Sequence, residues 1–167
     1  MSARSASRWA SGGGGGGTSY AVAVASAYVT DGDITLPNTA GAWATLAGIP
    51  SLALAAAAGD HVTVEWAALR SEIGTGFLDV AIVVGGSRVW YASSGTNTPA
   101  VEGDPGWYGA NAFHPHAGAA FLTLTSDHVS GGNVTFVVAV KAAGSGTLYA
   151  SSNYPFRWRA MNHKAPA

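Results

Sequence analysis

Apolar and more polar residues alternate along several segments of the chain after residue 20. In residues 61–68 the apolar side chains at positions 62, 64, 66 and 68 are separated by others that are mostly polar. The same period recurs in residues 78–84, 122–125, 134–140 and 156–160. A period of two places successive side chains on opposite faces of an extended strand. The pattern therefore predicts β-strands that each bury one face.

Glycine-rich turn signals separate these segments. They lie at residues 31–33, 59–60, 74–76, 85–86, 130–132 and 144–146. Short strands divided by such turns are typical of β-sandwiches and barrels. Gly85 and Gly86, between Val84 and Val89, further predict a tight hairpin. We expect an all-β domain.

Two stretches allow other interpretations. Residues 52–58 are rich in alanine, the best helix former, and could form one or two helical turns. Leu52, Leu54 and Ala56 nevertheless alternate towards a Gly-Asp turn, which favours a strand. Residues 92–117 hold glycines, prolines and aromatics without periodicity. We expect this stretch to be an ordered loop that packs on itself or on a neighbour.

The composition limits the classes of partner. Only 10% of the residues are charged while 48% are hydrophobic, so the surface is poor in charge and suited to assembly. The formal net charge of −1 makes nucleic acid an unsuitable partner. There is no apolar run of about 18 to 20 residues, and no apolar core of a signal peptide follows the first arginines. We therefore expect neither membrane insertion nor secretion by that route.

The first 19 residues differ from the rest of the chain. Residues 1–11 are small and weakly basic, and residues 12–17 are all glycine. Six glycines lose much backbone entropy on ordering, so this arm is expected to be a flexible tether or an anchor. Arg4, Arg8 and Trp9 are the candidate anchoring residues; a plain disordered tail is the alternative. Residues 20–162 form the expected β-domain, and residues 163–167 a short tail.

Residues suited to catalysis or metal binding are scattered. The histidines follow no nucleophile motif, and the sequence contains no cysteine. A glycosidase would need a carboxylate pair, for which the candidates are Glu65, Glu72, Asp79, Glu102 and Asp104. Glu65 and Asp79 fall on the polar faces of predicted strands, which favours a solvated sheet surface. His114 and His116 alone are a weak metal signal. We predict no enzyme activity, no metal and no cofactor.

Two aromatic pairs are the candidate contact surface. They are Trp90 with Tyr91 and Trp107 with Tyr108. In a strand, one member of each pair must face away from the core. Outward rings anchor protein interfaces or stack on sugars, so a carbohydrate-binding module is an alternative function.

Three stretches together resemble small structural proteins of tailed bacteriophages, in a style typical of phages of high-GC actinobacteria. They are residues 43–46, residues 52–66 with their Gly-Asp turn before a strand, and residues 77–84. Residues 132–140 and 153–158 fit the same scheme. The resemblance covers about residues 20–162 and includes no signature motif.

The resemblance implies a jelly-roll-like antiparallel β-sandwich in a virion, assembled in the host cytoplasm. Such proteins are usually homotrimers held by a short N-terminal arm. The implied role is a minor tail or tail-tip component, with a capsid decoration or head-fibre protein as the alternative. The implied partners are other copies of the chain, neighbouring virion proteins and a host cell-surface glycan.

Overall fold

The computed structural model describes residues 23–73, 77–93, 114–144 and 146–163. In this part of the chain the regular structure is β-strand, apart from one 3₁₀ turn at Ser126–His128. The strands are β1 Ala23–Asp31, β2 Ile34–Leu36, β3 Ala44–Thr45, β4 Leu52–Ala55, β5 His61–Ile73, β6 Phe77–Val84, β7 Ser87–Ser93, β8 His114–Thr123, β9 Val129–Ser130, β10 Asn133–Ala143, β11 Gly146–Tyr149 and β12 Ser151–Asn162. Within these ranges the chain forms no helix long and apolar enough to cross a membrane.

The strands form two antiparallel sheets. The first has the order β1-β12-β5-β11-β2, with β8 on the other side of β5. We call it the β5 sheet. The second has the order β3-β10-β6-β7, with β4 and β9 also paired to β10. We call it the β10 sheet. The chain crosses between the sheets repeatedly, at β2 to β3, β4 to β5, β5 to β6, β7 to β8, β8 to β9 and β10 to β11. Two antiparallel sheets linked in this way form a jelly-roll-like β-sandwich, as predicted.

Inward side chains of both sheets form one hydrophobic core. The β5 sheet contributes Val62, Val64 and Trp66 from β5, and β10 contributes Phe136 and Val138 from the facing sheet. Further strands of both sheets supply the rest of this cluster. The alternation in the sequence follows from this burial, because every second residue of each strand points between the sheets.

Most of the predicted strands and turns are confirmed. Residues 52–58 contain β4, so the helix alternative was wrong; its alternate residues Leu52 and Leu54 are buried. Gly85 and Gly86 join β6 to β7 with φ values of 53° and 79°. Positive φ at both central residues is typical of a type I′ turn, whose twist matches that of the two strands it joins. The strand predicted to include residues 122–125 ends earlier than expected, since β8 ends at Thr123.

The predicted loop was wrong at both ends. Strand β7 continues to Ser93, and β8 already begins at His114. The alternation was hidden at the start of β8 because Pro115, Ala117 and Gly118 carry little contrast in polarity. Residues 94–113 lie outside the described ranges, as do the predicted turns at 74–76 and at Ser145. The predicted boundaries after residues 19 and 162 stay predictions.

Candidate assembly surface

The outer face of the β5 sheet carries side chains in rows that cross β1, β12, β5 and β8. Val24 is opposite Met161, Met161 is opposite Thr63, and Thr63 is opposite Phe121. Because every second residue of these strands enters the core, the four side chains lie together on the outer side. They form one row that is apolar except for Thr63. We call this row the central row.

Large apolar side chains are exposed on this face. Phe121 is 79% exposed, Tyr28 55% and Val24 43%. All three lie in strands of the β5 sheet, on positions that alternate with core residues. Single exposed apolar residues are ordinary, but several on one face are typical of a contact surface.

A shallow groove lies beside Phe121. It has a volume of about 630 Å³ and opens to solvent on the outer face of the sheet. Its lining includes His61, Thr63, Met161 and His163 as well as Phe121. The groove exists because Thr63 is short and lies between two long side chains in the central row. Thr63 is 6% exposed, which makes it the floor of the groove.

Polar groups around the groove are paired with one another. His61 Nδ1 lies 3.0 Å from Thr123 Oγ1, and His163 Nε2 lies 2.9 Å from Thr63 Oγ1. Each imidazole–hydroxyl pair forms a hydrogen bond whose donor depends on the histidine tautomer. In each pair, one imidazole nitrogen and one threonine hydroxyl form a hydrogen bond within the chain, beside the apolar side chains of the central row.

Charged side chains occupy the adjacent rows. Arg159 donates from Nε to Glu65 Oε2 at 2.6 Å, and its Nη2 lies at the same distance from that oxygen. Arg157 lies over the ring of Tyr28 at 4.7 Å from the centroid and donates to its hydroxyl at 3.3 Å. Both pairs cross neighbouring strands, so they hold the long side chains close to the sheet.

The outer face of the β10 sheet is different. Ala81 and Ala139 point away from the core cluster, yet they are 0% and 5% exposed. The guanidinium of Arg88 lies 5.4 Å from the Trp43 ring centroid, and Lys141 Nζ lies 5.5 Å from it. The chain therefore covers part of this face itself, whereas the central row of the other sheet exposes Val24 and Phe121 at its two ends.

Trp90 corrects the contact prediction. It is 2% exposed, and its ring centroid lies 4.6 Å from that of Trp66 in the core. Trp90 therefore packs between the two sheets, and the prediction that it is a contact residue was wrong. Tyr91 is described only through its backbone, which pairs with Ala81. The other proposed site residues lie outside the described ranges: Arg4, Arg8, Trp9, Trp107 and Tyr108.

Asp79 also corrects a prediction. It was expected on a solvated sheet surface, but it is 5% exposed and lies 2.8 Å from Lys141 Nζ. Glu65 is on the other sheet, in its own ion pair with Arg159. The two carboxylates therefore form no pair with each other. Among the residues that are described, no group of three potential metal-ligating side chains occurs.

Sequence reasoning missed Phe121 and Tyr28. A signal for Phe121 was present, since Leu122 and Leu124 occupy the inward positions and place Phe121 on the opposite face. A large aromatic residue on the outward register of an amphipathic strand is itself an indication of a contact surface.

Comparisons with known proteins show similarity in structure only. No family model matches the chain, and no curated protein matches it. One similar solved structure is the Eiger TNF from S. frugiperda, with a TM-score of 0.47 and 9% identity, over 87% of this chain and 95% of that one. Another is the VP2 subviral particle of infectious bursal disease virus, with a TM-score of 0.39 and 13% identity. That match covers 87% of this chain and 38% of the VP2 chain. The jelly-roll-like description of this chain rests on its own strand pairing.

Proposed function

We propose that the chain is a structural protein of a tailed-bacteriophage virion. In this proposal several copies, expected to be three, form a minor tail or tail-tip component that is assembled in the host cytoplasm. The N-terminal arm fixes it to neighbouring virion proteins. A capsid decoration or head-fibre protein is the alternative position on the same particle. The role is structural and not enzymatic.

Exposure of Phe121 is the observation that carries the proposal. A phenyl ring that is 79% exposed on a flat sheet face gains free energy when another surface covers it. Only 10% of the residues in the whole chain are charged, and on this face Arg159 and Glu65 are paired with each other. A protein of this kind is suited to work as part of an assembly.

The place where the arm joins the domain also supports the proposal. Strand β1 begins at Ala23, which pairs with Asn162 near the end of β12. Met161 and His163, which line the groove, flank Asn162 in the chain. The arm therefore joins the domain at the groove end of the β5 sheet, where a neighbour bound to this face would be within reach.

The test combines oligomeric state with particle incorporation. Light scattering of the purified full chain should give the mass of more than one copy, with three expected. Deletion of residues 1–19 should keep the oligomer but reduce its incorporation into particles, measured by labelling and electron microscopy. A triple Arg4→Ala, Arg8→Ala, Trp9→Ala variant of unchanged length should act in the same way.

Two results would contradict the proposal. One is a strictly monomeric full chain at high concentration, and the other is undiminished incorporation after deletion of the arm. The label position on the particle distinguishes tail from capsid.

A further inference from the structure

We infer that the outer face of the β5 sheet binds a second copy of this chain, and that Phe121 of one copy enters the groove beside Thr63 of another. The inference rests on the proposed function, because it names a surface through which two copies associate. A self-complementary contact joins copies in pairs, so an assembly of three uses a second, different contact as well. It concerns the β1, β12, β5 and β8 part of the sheet.

The shape of the face is the first argument. Phe121 projects from β8, and the groove floor at Thr63 is its direct neighbour on β5. A projection and a recess therefore lie next to each other on one flat surface. Such a surface is complementary to itself, since in a two-fold contact the ring of each copy can fill the recess of the other. Met161 would contact the incoming ring through its adaptable thioether side chain.

The area of the face is the second argument. Four strands about 4.8 Å apart span about 19 Å, and four rows of side chains about 6.8 Å apart span about 27 Å. The face thus offers about 500 Å² per copy, or about 1,000 Å² for a contact between two copies. This is the lower limit for a specific interface between proteins. With the whole face covered, a contact between two copies reaches this limit.

The pairing of the polar groups is the third argument, and it favours protein over sugar. A saccharide site needs donors and acceptors that are directed at the ligand. Here the imidazoles of His61 and His163 bond to threonine hydroxyls, and the carboxylate of Glu65 bonds to Arg159. One nitrogen of each imidazole and one oxygen of Glu65 are thus bonded within the chain, so fewer of these groups are directed outward at a ligand.

The fourth argument is that the outward side chains of the two sheets differ in exposure. On the β10 sheet, outward residues such as Ala81 are buried within the chain, and Trp43 packs against Arg88. On the β5 sheet, the central row ends in the most exposed large apolar side chain of the described residues, Phe121. Among the described residues, the face that exposes large apolar side chains is the β5 sheet, and we assign this face to the second copy.

Sedimentation velocity of full-chain variants over a concentration series tests this inference. Phe121→Ala should weaken association by about 30-fold or more, as expected for an aromatic residue that fills a recess of the partner surface. Phe121→Lys should leave monomers at concentrations where the unchanged chain is assembled. Thr135→Lys, which adds the same charge at an exposed position of the β10 sheet, is the matched control and should leave association unchanged.

A second measurement does not depend on loss of assembly. A benzophenone amino acid at position 121 should cross-link under light to Met161 or to a neighbour of Thr63. Mixing isotope-labelled and unlabelled protein shows whether the link joins two copies. Links between copies support the inference. Links confined to one copy, or to the β10 sheet of another copy, overturn it.

The outcomes separate this inference from the proposed function. If the unchanged chain is oligomeric and Phe121→Lys is equally oligomeric, the assigned face is wrong while assembly stands. If the unchanged chain is monomeric at every concentration, the proposed assembly and the inference both fail. If a glycan array shows binding that Phe121→Ala abolishes while association is unaffected, the face is a sugar site and the inference is overturned.

Discussion

Asn162 should be a key residue for stability, and its replacement by alanine tests the buried polar junction of the sandwich. It is 0% exposed and donates from Nδ2 to Asp60 Oδ2 at 2.7 Å and to the Ala55 carbonyl at 3.0 Å. The same carboxylate oxygen accepts the N–H of Ala57 at 2.9 Å. Asp60 also accepts the N–H of Leu124 through its backbone carbonyl, at 2.8 Å. The junction therefore ties the turn before β5 to the ends of β8 and β12.

The expected cost follows from the two hydrogen bonds that are lost. A hydrogen bond to a charged group contributes about 1.5 to 3 kcal/mol, and a neutral one about 0.5 to 1.5 kcal/mol. Asp60 is 8% exposed, so water compensates little for the missing donor. We expect Asn162→Ala to lower the free energy of unfolding by about 3 kcal/mol. With a typical urea dependence of about 2 kcal/mol per molar, the midpoint should fall by about 1.5 M.

Urea unfolding followed by circular dichroism measures this change. All proteins should be compared at one concentration, because assembly raises the apparent stability of the folded state. Asn133→Ala is the matched control, since Asn133 is exposed and donates to the Gly131 carbonyl at 3.1 Å. The control should change the free energy by less than about 1 kcal/mol. Equal effects of the two substitutions would refute the reasoning that the junction is buried and charge-assisted.

Three further substitutions test packing, an ion pair and a turn by the same urea assay. Gly118→Ala should destabilise the fold by about 1 to 3 kcal/mol, because a Cβ there would lie 2.7 Å from the Trp66 ring. Lys141→Ala should cost about 3 kcal/mol, since it leaves the buried Asp79 carboxylate without its ion-pair partner. Gly85→Ala should cost about 1 to 3 kcal/mol, because φ is +53° and a Cβ would lie 2.8 Å from a backbone oxygen.

Each of these predictions has its own control. Gly86→Ala has a positive φ but open space around the added Cβ, so it should cost less than the change at Gly85. Adding Asp79→Ala to Lys141→Ala should recover part of the loss, because no unpaired carboxylate is left. Glu65→Ala, which removes a more exposed ion pair, should cost less than about 1 kcal/mol. An unchanged midpoint for Gly118→Ala would show that the indole of Trp66 moves aside freely.

The residue pattern along the chain was enough to predict the local structure of the sandwich. Alternation in residues 134–140 predicted which side chains of β10 are buried, and Gly85 with Gly86 predicted the turn between β6 and β7. Both depend on interactions between residues close in the chain, namely the period of a strand and the freedom of glycine at positive φ. The same kind of alternation in β8 would also have predicted that Phe121 lies on the surface.

Contacts between distant segments determine which strands are neighbours and what each outward side chain contacts. Thr63 becomes a groove floor because β5 lies between β8 and β12, and Asp79 becomes buried because its neighbour strand supplies Lys141. Asn162 and Asp60 are 102 residues apart in the chain, although their side chains are in contact. Strand partners are chosen by the packing of distant segments around one core, so a local pattern does not contain them.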